Sequence, residues 1–109
     1  MKHEEDTLQA NIVYAVRLYY PHSLIYAIPN GGKRNVIEAA RFKRQGVTAG
    51  VSDLHLIHKG KIYFIEVKIH GGRQSLLQEQ FEKFVTKQGF KYYIVRSVDD
   101  VLTDRKSVV

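Results

Sequence analysis

The feature that most constrains this chain is a pair of β-rich segments joined by a two-residue turn. Residues 51–58 and residues 61–68 are both rich in apolar side chains, and Lys59-Gly60 separates them. Two such runs around a short turn that contains glycine predict a β-hairpin. The turn sets the register of the hairpin, and Asp53 then lies directly opposite Glu66 on the same face of the sheet.

The predicted hairpin brings three charged side chains to one face. Opposed positions have Cβ atoms about 4.5–5.5 Å apart, so the carboxylates of Asp53 and Glu66 repel each other. Lys68 lies two residues beyond Glu66, and the two-residue period of a strand places it on that face as well. The neighbouring strand residues are apolar, namely Ile62, Phe64, Ile65 and Val67. Charges beside such a buried strand are unfavourable unless something compensates them.

Two kinds of compensation are open at this stage. A divalent cation such as Mg²⁺ prefers hard oxygen ligands and would be held by Asp53 and Glu66. Lys68 would then be free to orient or deprotonate a water, or to steady negative charge on a phosphate. Alternatively, Lys68 neutralises one of the two acids in a structural ion-pair cluster. The facing aspartate, the Gly-rich loop beside it and the excess of basic residues favour the metal site.

The remaining segments alternate between helical and strand patterns. The predicted elements are a helix over about residues 5–20, a strand at 24–28, a helix at 35–45, the hairpin, a helix from Ser75 to Gly89, a strand at 90–96 and a short helix opened by Ser97-x-x-Asp100. The order is therefore α-β-α-β-β-α-β-α. The hairpin is antiparallel, and the helical crossover after it permits a parallel partner. We expect an α/β sandwich in which helices flank one mixed sheet.

The first predicted helix has one apolar stripe. Its apolar residues recur at three- and four-residue spacing: Leu8, Ile12, Val16 and Tyr19. Pro21 prevents the helix from continuing. Glu5 and Gln9 lie on nearly the same stripe, so both could face inward at the start of the helix.

Composition limits the class of protein. The 109 residues suit one domain over 1–109, and the absence of cysteine excludes disulfides, thiolate metal sites and cysteine nucleophiles. No apolar run approaches the roughly 18 residues of a membrane span, and the polar start is unlike a signal peptide, so we expect an intracellular protein. A net charge of +6 favours an acidic partner, most commonly nucleic acid.

Several motifs together resemble a known nuclease family. Gly50-Val-Ser-Asp53, followed by Ile65-Glu66-Val67-Lys68, resembles the bipartite motif of PD-(D/E)xK nucleases. The wider pattern is similar to the VRR-NUC family in its minimal, stand-alone, virus-type form. The stretches that carry this second resemblance are Glu5-x-x-Leu8-Gln9, Pro29-Asn30-Gly31-Gly32, Gly72-Arg73-x-Ser75-x-x-Gln78 and residues 89–100. Ser52 stands where the motif has its proline, a position that shapes the backbone.

The resemblance implies a restriction-endonuclease-like fold and a set of catalytic roles. Asp53 and Glu66 would bind Mg²⁺, or Mn²⁺ as a substitute, through their carboxylates, and the Val67 carbonyl would add a ligand. Lys68 would be the catalytic lysine. Glu5 would be a further metal- or water-binding acid; the alternative is that it stabilises the helix dipole.

Further residues have two interpretations each. Gln78 could contact the active-site water or phosphate, but it also completes a capping box with Ser75. A basic Gly-rich loop could hold a DNA phosphate through its amides and charges, or could be a solvated turn. The loop consists of Asn30, Gly31, Gly32, Lys33 and Arg34. Arg73, in the next Gly-Gly loop, has the same two interpretations. His55 and His58 point to opposite faces of the hairpin and do not form a zinc pair.

The resemblance implies a Mg²⁺-dependent, structure-selective DNA endonuclease of host-cell cytoplasm, compatible with a phage gene. For a chain of this size it implies a homodimer that cleaves branched DNA, notably four-way (Holliday) junctions. Aromatic residues in excess of a small core could form the interface: Tyr14, Tyr19, Tyr20, Tyr26 and Phe42. One alternative is a monomeric flap or nicking nuclease. The other is a DNA-binding module without chemistry, which the intact Asp53, Glu66 and Lys68 disfavour.

Overall fold

The computed structural model describes residues 2–29 and 35–102. Its elements are α1 (Lys2–Tyr19), β1 (Leu24–Ala27), α2 (Val36–Arg44), β2 (Leu54–His58), β3 (Lys61–Val67), α3 (Leu76–Lys87), β4 (Lys91–Val95) and α4 (Asp99–Leu102). This order confirms the α-β-α-β-β-α-β-α arrangement that the sequence predicts. Within the described ranges, no helix combines the length and apolar character that crossing a membrane requires.

The four strands form one mixed sheet in the order β1-β2-β3-β4. The first three strands are antiparallel, whereas β4 runs parallel to β3. His58 pairs with Lys61, so the predicted register of the hairpin is confirmed. Lys59 and Gly60 both have positive φ, at 52° and 77°. A turn with two positive-φ residues matches the right-handed twist of the paired strands. Two residues are therefore enough to connect β2 and β3.

The hydrophobic core lies between α1 and one face of the sheet. Ile12 and Val16 of α1 are fully buried against the strands. The strand residues of the core are Ile25, Leu54, Leu56, Tyr63, Ile65, Val67 and Val95. Burying this apolar face stabilises the fold by roughly 25 cal/mol for each Å² removed from water. Val101 of α4 completes the core.

One expectation about α1 is wrong. Tyr19 was predicted to lie on the apolar stripe, but it is 64% exposed, and Tyr20 packs against the core instead. The stripe advances by four residues from Ile12 to Val16, and the next position at that spacing is Tyr20. The Tyr20 amide still donates to the Val16 carbonyl, which holds it in helical register at the end of α1.

Helix α3 lies over the opposite face of the sheet. Ser75 caps its N-terminus, and the capping box with Gln78 is formed in full, as the sequence predicts. Phe81 contacts the rings of Phe64 and Tyr92 edge to face. Such pairs add to the stability gained by burying the rings themselves. This face of the sheet is the one that carries the charged residues of the hairpin.

Helix α2 stands at the surface. Asn35 caps it by accepting a hydrogen bond from the Glu38 amide at 2.7 Å, and Gly46 follows its end with a φ of 101°. Val36 and Ile37 are 84% and 81% exposed. Local capping therefore defines this helix more than burial does.

Candidate active site

Two carboxyl groups meet where the hairpin opens, next to the sheet face that α3 covers. Glu66 is in β3, and Asp53 precedes β2 by one residue, in line with the register that pairs Leu54 with Ile65. The Asp53 Oδ2 atom accepts a hydrogen bond from the Val67 amide at 2.8 Å. The strand ladder thus continues through a side chain, which fixes the orientation of the Asp53 carboxylate.

Glu66 is a buried carboxyl group with one oxygen unsatisfied. Its exposed fraction is 1%. The Oε2 atom accepts from Gln78 Nε2 at 3.0 Å and lies 3.5 Å from Lys68 Nζ. The Oε1 atom is buried and has no hydrogen-bond partner among the residues that the structure describes. A buried acceptor without a partner loses its hydration without compensation, which favours a ligand at that atom.

The environment of Glu66 opposes its ionisation. Burial raises the pKa of the Glu66 carboxyl to about 8, and the neighbouring Asp53 carboxyl adds to the increase. Lys68 acts in the opposite direction but does not cancel the other effects. Without a further cation, the raised pKa favours the protonated form of Glu66. Lys68 lies within ion-pair distance of Glu66 Oε2, so the structural ion pair stays an alternative to the metal site.

A divalent cation fits this pair of side chains. Oxygen atoms of two facing carboxyl groups are the ligands that Mg²⁺ prefers, and a dication would add positive charge to that of Lys68. The orphaned Glu66 Oε1 atom is a free oxygen at the same place. Asp53 and Glu66 therefore fit the ion that the sequence predicts.

Gln78 completes the predicted capping box and also contacts Glu66, whereas its predicted contact with a water or phosphate stays a prediction. Its Oε1 atom accepts from the Ser75 amide at 2.8 Å, which is half of the capping box. Its Nε2 group donates to Glu66 Oε2. Because the cap fixes the amide plane, the donor is directed at the carboxylate before any substrate arrives.

Glu5 is half-buried in the first turn of α1. Across residues 2–29 and 35–102, no group of three or more histidine, aspartate and glutamate side chains is arranged to hold a metal ion. Glu5 thus does not join Asp53 and Glu66 in such a group, and its role as a ligand stays a prediction. The same holds for the Val67 carbonyl.

The predicted DNA-binding residues fall in two places. Asn30, Gly31, Gly32, Lys33 and Arg34 lie outside the described residues. Arg73 is exposed in the connection between β3 and α3, which begins at Lys68 and ends at Ser75. The backbone therefore places the exposed Arg73 in the same short segment as Lys68.

The two hairpin histidines lie on opposite faces, as predicted. His55 contacts the rings of Tyr26 and Phe64, and its Nδ1 atom lies 3.1 Å from the Tyr26 hydroxyl. Burial lowers the pKa of the His55 imidazole. His58 contacts Tyr20 on the side of α1. Both imidazoles therefore have structural contacts.

The loop that leads into Asp53 depends on Gly50, whose role the local sequence does not indicate. Gly50 has a φ of 90°, and a Cβ atom there would lie only 2.6 Å from the Leu77 carbonyl oxygen of α3. Ser52 is fully buried, and its hydroxyl donates to the Leu54 carbonyl at 3.3 Å. Gly50 lets the chain pass close to α3, and the buried Ser52 leads directly to Asp53. Gly50 belongs to the Gly50-Val-Ser-Asp53 motif, but its contact partner, Leu77, is 27 positions away.

A second polar group near the carboxylates was also missed. The Gln74 Nε2 group donates to Glu82 Oε1 at 3.0 Å and to the Tyr92 hydroxyl at 3.2 Å. Burial is the main cause of the raised pKa of Tyr92, and the charge of Glu66 contributes. Tyr92 pairs with Phe64, so both side chains lie on the sheet face of Glu66. The alternation of residues along β4 was the only feature of the sequence that could have placed Tyr92 on this face.

An apolar cleft of about 580 Å³ adjoins the same face of the sheet. His55, Phe64 and Phe81 line it from the sheet and α3, and Phe42 and Val47 line it from α2 and the loop that follows. It contains neither Asp53 nor Glu66. The carboxyl pair and the cleft are thus separate features of one face.

Comparisons of the sequence and of the fold with known proteins point to the same family. The family model of the VRR-NUC domain matches residues 3–99. A solved structure described as a "VRR_NUC domain protein" is similar with a TM-score of 0.72 at 23% identity, covering 94% of this chain and 84% of that chain. Another, described as "VRR_NUC domain", has a TM-score of 0.66 at 19% identity, covering 90% of this chain and 92% of that chain. No curated protein sequence matches significantly. At these identities the two structures share the fold.

Proposed function

Because the chain belongs to the VRR-NUC domain family, we propose that it is a metal-dependent DNA endonuclease whose active site contains Asp53, Glu66 and Lys68. Membership indicates a nuclease of the PD-(D/E)xK type. The observation that carries the finer assignment is Glu66, a buried carboxyl group with an unsatisfied oxygen beside Asp53. Burying such a carboxyl group beside a second acid lowers stability unless a cation binds there.

In this proposal Asp53 and Glu66 hold Mg²⁺, for which Mn²⁺ can substitute, and the Val67 carbonyl and Glu5 are further candidate ligands. When bound, the cation supplies Lewis-acid stabilisation of charge on the scissile phosphate. Hydrogen bonds from the Val67 amide and from Gln78 hold the two carboxylates in place. The site is thereby oriented before DNA binds, which reduces the reorganisation that the reaction requires.

Lys68 contributes a positive charge at a fixed place. Its side chain is 13% exposed, and its ammonium group is held 3.5 Å from Glu66 Oε2. From there it can donate a hydrogen bond to an attacking water or to a phosphate oxygen. Both actions steady negative charge that develops during hydrolysis of a phosphodiester.

We further propose that the substrate is branched DNA, notably four-way junctions, and that two copies of the chain act together. Two symmetric sites suit the two strands that a junction resolvase must cut. The net charge of +6 favours a polyanion. Tyr14 and Tyr19 are strongly exposed and are available for an interface, whereas Tyr20 packs against the core. Tyrosine is frequent in protein interfaces.

The test uses labelled junction, flap, duplex and single-stranded DNA, each with and without Mg²⁺. The wild type should cut the junction into paired nicks only when Mg²⁺ is present. Asp53→Asn and Glu66→Gln should lower cleavage by about 10³-fold or more, since each removes a ligand and a charge. Asp6→Asn, which removes an exposed acid from α1, is the matched control and should cleave normally.

Cleavage at the wild-type rate by either site variant would refute the site. A monomer that nicks only flaps would favour the alternative nuclease. Binding of DNA with no cleavage under any of these conditions would favour the non-catalytic module.

A further inference from the structure

We propose that Arg96 is a positioning residue of the active site, which holds the loop after β3 so that Lys68 stays beside Glu66. The inference deepens the proposed function and rests on it for the catalytic role of Lys68. Arg96 directly follows β4, the strand that runs parallel to β3, which carries Glu66. It does not contact either carboxylate, so its action is through the loop.

The guanidinium group of Arg96 bridges the two ends of this loop. Its Nη1 atom donates to the Ile69 carbonyl at 3.0 Å and to the Gly72 carbonyl at 2.9 Å. The Gly72 amide also donates to the Ile69 carbonyl at 2.9 Å, which closes the turn. Hydrogen bonds from a charged donor are stronger than those between neutral groups. One nitrogen atom thus holds the carbonyl groups at both ends of the turn over residues 69–72.

The loop in turn lies against the Lys68 side chain. A Cβ atom on Gly72 would lie 3.6 Å from Lys68 Cδ and 3.1 Å from the Ile69 carbonyl oxygen. The position that a side chain at residue 72 would occupy therefore adjoins the lysine stem, and the loop runs past that side of Lys68. A lysine side chain is long and flexible, so such a wall restricts where its ammonium group can go. Displacing the loop would free Lys68 to leave Glu66.

Arg96 itself is anchored on both sides. The Lys68 amide donates to the carbonyl of Val95, the residue before it, at 3.0 Å. The Arg96 amide donates to Asp100 Oδ2 at 2.9 Å, and α4, which carries Asp100, is held by the fully buried Val101. The backbone of Arg96 is therefore fixed to the core while its side chain is exposed. Its hydrogen bonds are exposed, so water can replace the guanidinium group at both carbonyls when it is removed.

The main competing role for an exposed arginine near a nuclease site is direct binding of a DNA phosphate. The two roles differ in what they change. Loss of a phosphate contact weakens DNA binding and reduces its dependence on salt concentration by about one unit of slope. Loss of a positioning residue lowers kcat and leaves that slope unchanged.

The experiment compares Arg96→Ala with the matched control Arg17→Ala. Arg17 also donates from its guanidinium group to a backbone carbonyl, that of Ile25, at 3.4 Å from α1. Arg96→Ala should lower kcat by about 10- to 100-fold, because small misplacements of catalytic groups have effects of that size. The salt slope of junction binding in EDTA and the unfolding midpoint should match those of Arg17→Ala, whose kcat should remain near wild type.

A charge-neutral variant and a chemical probe test the route through the loop. Gly72→Ala disturbs the same turn without removing a charge and should also lower kcat. Acetylation of lysines by acetic anhydride, followed by mass spectrometry, should show faster modification of Lys68 in Arg96→Ala, with Lys61 unchanged. This probe needs no cleavage. If the wild type cuts no DNA, the proposed function fails while Lys68 reactivity still decides the positioning role.

Three results would overturn the inference. The first is a kcat and a Lys68 reactivity that are both unchanged in Arg96→Ala. The second is a reduced salt slope with an unchanged kcat, which would make Arg96 a phosphate contact. The third is a Gly72→Ala variant with normal kcat, which would show that the loop does not transmit the effect.

Discussion

Glu66 combines deep burial with a neighbouring acid, and its protonation therefore couples to folding. Its pKa is raised from an ordinary value of 4.5 to about 8 in the folded chain. Between these two values the folded state binds more protons at this residue than the unfolded state does. The contribution of Glu66 to stability is thus present at low pH and is lost as the pH rises through the folded value.

The corresponding prediction concerns the metal-free protein. In EDTA, the free energy of unfolding of the wild type should fall, relative to that of Glu66→Gln, as the pH rises from about 5 to 8. The glutamine variant lacks this ionisation, so it provides the reference. Urea unfolding at intervals across this range measures both. Parallel curves for the two proteins would show that burial does not raise the pKa of Glu66.

At the scale of elements, the N-terminus of α3 connects helix capping to the site. Gln78 accepts from the Ser75 amide with one end of its side chain and donates to Glu66 with the other. Glutamate at this position retains the acceptor for the cap but loses the donor. The two functions of one side chain can therefore be separated by substitution.

We expect Gln78→Glu to leave the unfolding midpoint nearly unchanged at pH 5 and to lower cleavage by about 10- to 100-fold, the usual effect of losing a group that orients a ligand. Ser75→Ala should do the reverse: it should lower stability by about 1 kcal/mol with a small effect on cleavage. Thermal unfolding and cleavage assays on both variants measure these effects. Equal loss of activity in the two would mean that Gln78 acts through the helix cap.

The loop before β2 contains two glycines, Gly46 and Gly50, whose replacement by alanine separates backbone strain from close packing. Both have positive φ, but only Gly50 would place a Cβ atom against α3; at Gly46 nothing lies within 4 Å. Gly46→Ala should lower stability by about 1–2 kcal/mol through backbone strain. Gly50→Ala adds overpacking and should lower it by about 2–4 kcal/mol. Urea unfolding at pH 7 compares them, and equal effects would exclude the close approach to Leu77.

At the scale of the whole molecule, the proposed dimer would use aromatic surface on α1 that does not belong to the core. Tyr14 is 70% exposed, Tyr19 is exposed to a similar degree, and both lie on α1 away from the buried stripe. We expect sedimentation equilibrium at micromolar concentration to give the mass of a dimer. Tyr14→Ser combined with Tyr19→Ser should shift the protein toward monomer without unfolding it, because neither ring belongs to the core. A wild-type monomer that still produces paired nicks in junctions would contradict the dimer.

Local patterns accounted for the hairpin and the helix ends. A two-residue turn allows one register, so the opposition of Asp53 and Glu66 could be derived from position numbers. The predicted cap at Ser75 involves groups three residues apart, and such short-range hydrogen bonds depend on neighbouring residues. For the same reason the order of elements and the mixed sheet could be predicted from periodicity and turn residues.

The sequence by itself therefore determined which residues face one another across the hairpin, whereas the tertiary structure decided what surrounds them. The contact of Gln78 with Glu66 depends on how α3 packs across the sheet, and the hydrogen bonds of Arg96 depend on the alignment of β4 with β3. The same packing brings Leu77 against Gly50. These contacts join residues separated by 12 to 27 positions, and no periodicity or turn signal spans such distances, because they form only when separate elements are packed together.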